Sequence, residues 1–302
     1  MNNNIIIINN KNKNIFLEKC KNIFIKSLKE YVFCAIDFEY NTNKLKERYI
    51  SLAQFKFDNN IYIIDLLNFE YKKEIIKYIF CSEIIKIFHG SDSLDFPHMY
   101  KFINDKNNFI KFVNYSVDTL FLCNIYQILT NKLKLTDNKK CNIYDALYST
   151  DVILQDKYLY LQNICKKINY NKNWFINNLT ENQILYSSYD VLYSIDLFRK
   201  LVILINDDII ISLINRIYRF HMLVKLGVLI CDYNNKSNNN NFNKKITIIY
   251  KNKKYDTEIN NEDILNINVI KKTVLNLINT NIMLCDSFKL LKGYDLLSKI
   301  FI

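Results

Sequence analysis

Several features are scarce in this 302-residue sequence, and each scarcity limits what the chain can be. It holds only 3 Gly and 1 Pro, while Asn, Lys and Ile are abundant; this is typical of AT-rich coding and makes composition a weak guide to function. The 8 Cys are scattered and form no Cys-x-x-Cys pair, which argues against a zinc site. Dispersed cysteines of this kind indicate a reducing, intracellular compartment.

Long apolar runs are missing as well. The short Ile run near the N-terminus is too brief for the core of a signal peptide. Asp207, Asp208 and Lys225 interrupt the segments that come closest to the length of a membrane span. We therefore expect a soluble protein of the cytoplasm or nucleus that has no membrane partner and is not secreted.

The net charge of +11 is concentrated at the two ends of the chain. Residues 1–30 carry a net charge of +4 and residues 199–302 carry +7, whereas residues 31–198 are neutral overall. Basic flanks can attract a polyanion such as nucleic acid. They also arise when lysines accumulate on a solvated surface, and charge alone does not separate these two interpretations.

The chain is organised around residues 32–39, an apolar run that ends with two acids. A continuous apolar segment of this length predicts a buried central strand. Because side chains alternate between the faces of a strand, Asp37 and Glu39 should project to one side while Phe38 points into the core. Two carboxylates in one small volume suit Mg²⁺ or Mn²⁺, although a strand that runs out into a solvated turn would show the same acids.

The segments that follow predict an α/β fold. Residues 50–57 and 61–65 predict two further strands, so the domain begins with a three-strand meander. Helical patterns then alternate with strands at 84–89 and 115–117, an order that indicates a mixed sheet flanked by helices on both faces. The predicted helices cover residues 15–30, 72–81, 94–104, 119–130, 158–168, 181–205 and 209–228.

Composition marks the boundaries of the central domain. Asn-rich residues 1–14 are expected to be disordered, and residues 233–245 form the clearest linker. Residues 246–250 and 255–259 predict a hairpin, which is followed by a helical pattern. The expected parts are a basic segment and helix at 1–30, a domain at 31–205, a helical extension at 206–232, the linker at 233–245, and a small α+β extension of unassigned role at 246–302.

Later segments can return more side chains to the end of the first strand. Tyr186 and Asp190 are four residues apart on a predicted helix, so they share one of its faces. Asp95 begins another predicted helix, where the helix dipole alone also favours an acid. Together with the two strand acids, these residues could build a site of carboxylates and one phenol.

These segments together resemble the RNase D-like branch of the DEDDy 3′-5′ exonucleases, a family with a ribonuclease H-like fold. Five segments match in the family's order, over roughly residues 31–200. They are Ala35-Ile-Asp-Phe-Glu39; Ile50-Ser-Leu-Ala-Gln-Phe55 with Ile61-Tyr-Ile-Ile-Asp-Leu66; Lys86-Ile-Phe-His-Gly90 with Asp95; Val117-Asp-Thr119; and Trp174 through Leu179-Thr-Glu-Asn-Gln183 to Tyr186-x-x-x-Asp190.

The resemblance implies a site with two divalent cations, Mg²⁺ or Mn²⁺, as cofactors. The acids that it assigns to these cations are Asp37, Glu39, Asp95 and Asp190. It also implies that Tyr186 orients the attacking water. In this family the second acid usually lies one residue closer to the His-Gly pair, so either the loop before Asp95 is longer here or Asp92 takes that role. The helical apolar pattern begins at Asp95, which favours Asp95.

Three further residues beside these motifs are candidates for substrate contact. Phe38 could wedge the terminal bases, although core packing is its default role. Gln54 could touch a nucleotide or merely satisfy backbone groups. His89 ends a strand at a turn, where a hydrogen-bonded histidine is favoured over a general base.

The sequence therefore predicts a metal-dependent 3′-5′ exonuclease that removes nucleoside 5′-monophosphates from single-stranded ends, RNA more than DNA. The alternative is a nucleic-acid-binding adaptor that keeps the fold without turnover. DNA trimming or proofreading is a third possibility, because discrimination at the 2′-hydroxyl depends on contacts that one sequence does not reveal.

Overall fold

The structure, a computed structural model, describes most of the first two thirds of the chain. The described residues are 4–9, 11–66, 68–130, 141–168, 173–206, isolated positions between 211 and 226, 243–250 and 253–260. Most of the predicted helix at 209–228, most of the linker, and the helical pattern after residue 260 lie outside this set. The chain divides into two compact units, which are residues 1–120 with 141–203, and residues 121–140 with 204–302.

Within the described residues, a six-stranded mixed sheet forms the centre of the first unit. Its strands are β1 (Asn4–Ile7), β2 (Phe33–Thr42), β3 (Arg48–Phe57), β4 (Asn60–Ile64), β5 (Ile85–Phe88) and β6 (Ser116–Asp118). They lie in the order β1-β4-β3-β2-β5-β6, with β2, β3 and β4 antiparallel. β5 and β6 run parallel to β2, and β1 runs parallel to β4. The predicted meander, followed by strands that alternate with helices in a mixed sheet, is confirmed.

Helices connect and flank these strands. They are α1 (Lys13–Ser27), α2 (Lys72–Ile75) with a π-helical continuation (Ile76–Phe80), α3 (Asp95–Ile103), α4 (Lys106–Asn114), α5 (Thr119–Leu129), α6 (Ile143–Ser149), α7 (Gln155–Lys167), a 3₁₀ turn (Ile176–Asn178), α8 (Glu181–Leu192) and α9 (Ser194–Ile205). The sequence did not predict α4 and α6, because both are short. Their polar N-caps are visible in the structure, where the side chains of Asp105 and Asn142 each accept a backbone N–H of the first turn.

The prediction of one helix over residues 181–205 was wrong. Two helices occupy this stretch, and Tyr193 lies at the break between them. The Ser194 hydroxyl donates to the Asp190 carbonyl at 2.8 Å, a local bond that competes with continuation of the helix. The start of α8 is fixed by a capping box, in which Thr180 and Gln183 each accept the other's backbone N–H.

The expectation of disorder at the N-terminus was also wrong for the described residues. The Ile run forms β1 along the edge of β4, and the backbone N–H of Ile8 extends the pairing to the Ile63 carbonyl at 2.9 Å. Ile8 itself is buried. The run is short, but a sheet edge supplies the hydrogen-bond partners and apolar surface that an isolated segment lacks.

The two faces of the sheet carry different groups. On one face the ring of Phe16 from α1 lies 6.1 Å from the ring of Phe55, which in turn lies 5.8 Å from that of Phe80. Phe38 packs into the same aromatic core, 6.4 Å from Phe88. On the other face α8 packs against β2, β3 and β4. Strand alternation therefore turns Asp37 and Glu39 towards α8, as the sequence predicted.

The second unit contains an antiparallel hairpin of β7 (Asn243–Tyr250) and β8 (Lys253–Asn260), where the sequence predicts a hairpin. In the same unit the rings of Phe121 and Tyr218 lie 4.7 Å apart. Across the part of the chain that the structure describes, no helix combines the length and apolar character needed to cross a membrane.

Candidate metal centre

Three carboxylates from two elements converge on the α8 side of the sheet. Asp37 and Glu39 come from β2, and Asp190 comes from the second half of α8. Each offers one oxygen, and the three oxygens all lie within 4.8 Å of one another. The structure thus brings together three of the four acids predicted to bind metal.

Burial and mutual repulsion disfavour the charged forms of these acids. Burial raises the pKa of Asp37 well above its ordinary value, and the charges of Asp190 and Asp95 raise it further. Burial likewise raises the pKa of Glu39 well above its ordinary value, with Asp37 as the next cause. Among the described residues, no lysine or arginine forms an ion pair with the three clustered acids. At neutral pH these carboxylates therefore gain strongly from a cation between them.

The donor set fits a hard divalent cation. Glu39 Oε1 is buried and has no hydrogen-bond partner among the described residues. A buried, unpaired carboxylate oxygen is costly, and coordination would satisfy it. Because all the converging ligand atoms are carboxylate oxygens, Mg²⁺ or Mn²⁺ suits the site better than a metal that prefers nitrogen or sulfur.

The fourth predicted acid, Asp95, lies beside this cluster but is not one of the three oxygens that converge within 4.8 Å in the described chain. It is the first residue of α3, and its Oδ1 accepts a hydrogen bond from the Tyr40 hydroxyl at 2.6 Å. Burial raises the pKa of Asp95 to about 7, and the bond from Tyr40 opposes the rise. The charge of Asp95 is among the causes that raise the pKa values of Asp37 and Glu39.

Two tyrosines hold Asp190. The Tyr144 hydroxyl from α6 donates to Asp190 Oδ1 at 2.7 Å, and Tyr186 hydrogen-bonds to the same carboxylate. Burial raises the pKa of Asp190 to about 6, and both tyrosine bonds limit this rise. Burial and the charge of Asp190 raise the pKa of Tyr144 far above its ordinary value, so the phenol stays protonated and donates.

Sequence reasoning missed Tyr144. It is one of 22 Tyr, it stands 46 residues from its partner, and no motif marks it. The local signal was the Asn142 cap before a short apolar pattern, which places a helix there but not its target. Tyr144 is only 5% exposed, as expected for a side chain that supports a neighbouring acid.

Tyr186 is placed by packing of the segment that precedes α8. Its ring lies 6.0 Å from that of Trp174, which belongs to a buried cluster with Leu52. The backbone of Trp174 is fixed to the sheet by hydrogen bonds with the side chains of Asn41 and Ser51. The tyrosine is therefore held at the edge of the acid cluster, one helical turn before Asp190.

The three candidates for substrate contact lie in different surroundings. Phe38 is 4% exposed and packs in the aromatic core on the opposite face, so the structure does not bring it to the carboxylates. His89 is half-buried, with Nδ1 2.9 Å from Thr119 Oγ1 and Nε2 2.9 Å from the Cys141 carbonyl. Both ring nitrogens therefore have hydrogen-bond partners within the protein, and burial lowers the pKa of His89.

Gln54 is the candidate that remains at the site. It lies directly opposite Asp37 in the pairing of β2 with β3, so the two side chains leave the sheet on the same face. The side chain is fully buried, and neither its Nε2 nor its Oε1 has a hydrogen-bond partner among the described residues. A buried amide of this kind requires a partner, such as a water or ligand that the acids hold.

Comparison with known proteins adds to this geometry. A family model described as 3′-5′ exonuclease matches residues 14–206. An uncharacterized protein of Acanthamoeba polyphaga mimivirus, L533, is 32% identical over 180 residues, which cover 53% of this chain and 34% of that protein. The chain thus spans about a third of the length of this curated relative.

Solved structures share the fold. RNase D of Escherichia coli, described as an exoribonuclease involved in structured RNA processing, superposes with a TM-score of 0.52 and 15% identity, covering 75% of this chain and 51% of that chain. RNase D of Trypanosoma brucei gives a TM-score of 0.50 and 17% identity, covering 73% of each chain. These likenesses agree with the predicted ribonuclease H-like sheet.

The raised pKa values predict that the metal-free protein loses stability as the pH rises. A buried acid with a raised pKa binds more protons folded than unfolded, so the contribution of these two groups to stability is fully present below the unfolded value of 3.8 and is lost as the pH passes about 6 for Asp190 and about 7 for Asp95. Protons compete with a cation for these oxygens. We expect Mn²⁺ to raise the melting temperature by about 5 °C or more at pH 8, and by less at pH 5.

Thermal unfolding in chelator and in Mn²⁺ checks this expectation. Asp190→Asn should lose most of the Mn²⁺ response, whereas Glu18→Gln, an exposed acid of α1, should keep it. An equal Mn²⁺ response in wild type and Asp190→Asn would contradict the assignment.

Removal of the Tyr144 hydroxyl should weaken cation binding without unfolding the protein. Partners of metal ligands typically contribute 10–100-fold to affinity, so Tyr144→Phe should raise the Mn²⁺ concentration for half-maximal thermal stabilisation by about that factor. Tyr148→Phe on the same helix is the matched control and should leave this midpoint unchanged. Identical midpoints for wild type and Tyr144→Phe would show that the hydrogen bond does not support the site.

Proposed function

This chain belongs to the 3′-5′ exonuclease family, and we propose that it hydrolyses the terminal phosphodiester of single-stranded nucleic acid, with RNA preferred over DNA. Each cycle would release one nucleoside 5′-monophosphate and leave a chain with a new 3′-hydroxyl. The observation that carries the proposal is the convergence of three carboxylate oxygens within 4.8 Å, beside a phenol that contacts one of them.

Asp37, Glu39 and Asp190 would hold one divalent cation, Mg²⁺ or Mn²⁺, and Asp95 would serve a second with Asp37 as the shared ligand. Such cations, when bound, lower the pKa of an attacking water and neutralise charge on the scissile phosphate. The position of Asp95 beside the cluster, with one oxygen already bonded to Tyr40, suits a longer-range contact through water.

Tyr186 would orient the attacking water. Its hydroxyl donates to Asp190, so it stands next to the ligands and can accept a hydrogen bond from a water at the phosphate. The water would add to phosphorus and lose a proton to solvent as the bond to the 3′ oxygen breaks, and the departing oxygen would take up a proton from solvent. Gln54, buried opposite Asp37, would hydrogen-bond to a water or substrate group held by the acids.

The preference for RNA is supported by the fold that the chain shares with RNase D, which is described for Escherichia coli as an exoribonuclease. Nucleic acid is the proposed partner, and a cytoplasmic or nuclear setting belongs to the same proposal. A folded adaptor without turnover would bind oligonucleotides equally well in chelator, and this difference separates the two functions.

The direct test is degradation of matched 5′-labelled RNA and DNA oligonucleotides. We expect stepwise shortening from the 3′ end with Mg²⁺ or Mn²⁺, none with chelator, and faster loss of the RNA. A 3′-phosphate block should slow the reaction. Asp37→Asn should reduce the rate by roughly a thousandfold, since bound cations contribute several kcal/mol to such reactions.

Glu18→Gln serves as the control for a lost negative charge away from the cluster, and it should retain the wild-type rate. Undiminished turnover by Asp37→Asn would rule out the proposed site. Metal-independent binding without shortening would support the adaptor, and faster loss of the DNA would reverse the substrate preference.

A further inference from the structure

Near the acid cluster, α6, α7 and α8 carry two groups of exposed or half-buried rings, one of which includes a lysine. We call the two groups together the tyrosine surface, and its members are Tyr148, Lys157, Tyr158, Tyr160 and Tyr189. No part of the proposed reaction uses it. Large aromatic side chains at a surface are notable when they are ordered, because solvent exposure of a ring is unfavourable unless something covers it.

The rings are held in fixed positions. Tyr148 and Tyr158 stack with their centroids 4.8 Å apart and their planes at 18°. The Tyr158 hydroxyl donates to Asp145 at 2.7 Å and accepts from Gln162, which fixes this ring beneath its neighbour. Tyr148 is nevertheless 41% exposed, so much of its ring is open to solvent.

The second part of the surface contains the cation. Lys157 Nζ lies 4.4 Å from the centroid of the Tyr189 ring and 4.7 Å from that of Tyr160, and it donates to the Tyr189 hydroxyl at 3.2 Å. The Tyr160 and Tyr189 rings meet edge to face at 6.1 Å. Tyr160 is 44% exposed, so a positive charge and an accessible ring lie side by side.

Two of the helices that carry the tyrosine surface also carry residues of the metal centre. Tyr144, whose hydroxyl bonds to Asp190, lies one helical turn before Tyr148 on the same side of α6, which corresponds to about 6 Å along the helix axis. On α8, Tyr189 directly precedes Asp190. Tyr148 and Tyr189 therefore stand within one helical turn of Tyr144 and Asp190 respectively.

We propose that the tyrosine surface binds the bases that immediately precede the 3′-terminal nucleotide of the single-stranded substrate, with Lys157 at a nearby phosphate. This inference rests on the proposed function. Stacking on aromatic rings accepts any base, because every base has a π-face. It positions a strand without demanding a sequence.

The charge of the region indicates that stacking dominates over net attraction. Residues 143–167 contain three acids and three lysines, so α6 and α7 together present no excess positive charge. A protein partner of opposite charge is accordingly not favoured here. A single-stranded polyanion would therefore bind mainly by stacking its bases on the rings, and Lys157 would contact one phosphate.

Binding measured without turnover tests the proposal. The probe is a fluorescein-labelled twelve-nucleotide RNA, and fluorescence anisotropy in chelator reports its affinity. Tyr148→Ala should weaken binding by roughly tenfold or more, in line with the usual effect of removing one stacking partner. Tyr148→Phe keeps the ring and should bind as wild type does. Tyr31→Ala removes a ring of similar exposure, 39%, ahead of β2 and should have no effect.

RNAs that lack a single base identify the nucleotide that stacks on Tyr148. Removing the base at each of the last positions in turn should weaken wild-type binding most at one site near the 3′ end, and this loss should disappear in Tyr148→Ala because the two changes remove the same interaction. Lys157→Gln should weaken all these RNAs alike and lower the slope of log affinity against log salt by about 0.7.

The outcomes for the surface and for catalysis are separable. Equal affinity of Tyr148→Ala and wild type, while wild type still shortens RNA, would overturn the surface and leave the exonuclease intact. A loss of affinity in Tyr148→Ala, with no shortening by wild type, would support the surface and overturn the catalytic proposal. If Tyr148→Ala changed the oligomeric state and left RNA affinity unchanged, the rings would bind a second copy of the chain. That result would also overturn the proposal.

Discussion

Repulsion between three carboxylates in one buried volume is the constraint on which the site depends. Asp37 and Glu39 leave the same strand on the same face, and Asp190 arrives from the helix that covers them. Folding alone would leave these groups protonated or apart, since burial and mutual charge both raise their pKa values. The fold holds them together nonetheless, and a divalent cation bound between them would offset this cost.

The surrounding structure supports this constraint at each acid. The pairing of β2 with β3 shifts register between Glu39 and Tyr40, a bulge of the kind that re-aims side chains beside functional sites. Tyr40 then reaches Asp95 across to α3, and Tyr144 reaches Asp190 from α6. Both are protonated donors, so each favours the ionised form of its carboxylate and fixes its direction.

Local rules were sufficient to predict the central part of the site. Alternation along a strand placed Asp37 and Glu39 together, and helical spacing placed Tyr186 one turn from Asp190. The donors that hold the acids could not be predicted, because Tyr144 reaches its partner through tertiary packing of three helices. The edge strand β1 escaped prediction for a similar reason, since its stability comes from β4 rather than from its own sequence.

The central claim is that the acid cluster binds a divalent cation, and anomalous X-ray scattering from crystals soaked in Mn²⁺ tests it most directly. We predict a strong peak bounded by the carboxylates of Asp37, Glu39 and Asp190, with a second towards Asp95. Crystals of Asp190→Asn should lose or weaken the first peak. Wild-type crystals with no peak between these residues, and with their carboxyl groups bonded to one another, would contradict the account.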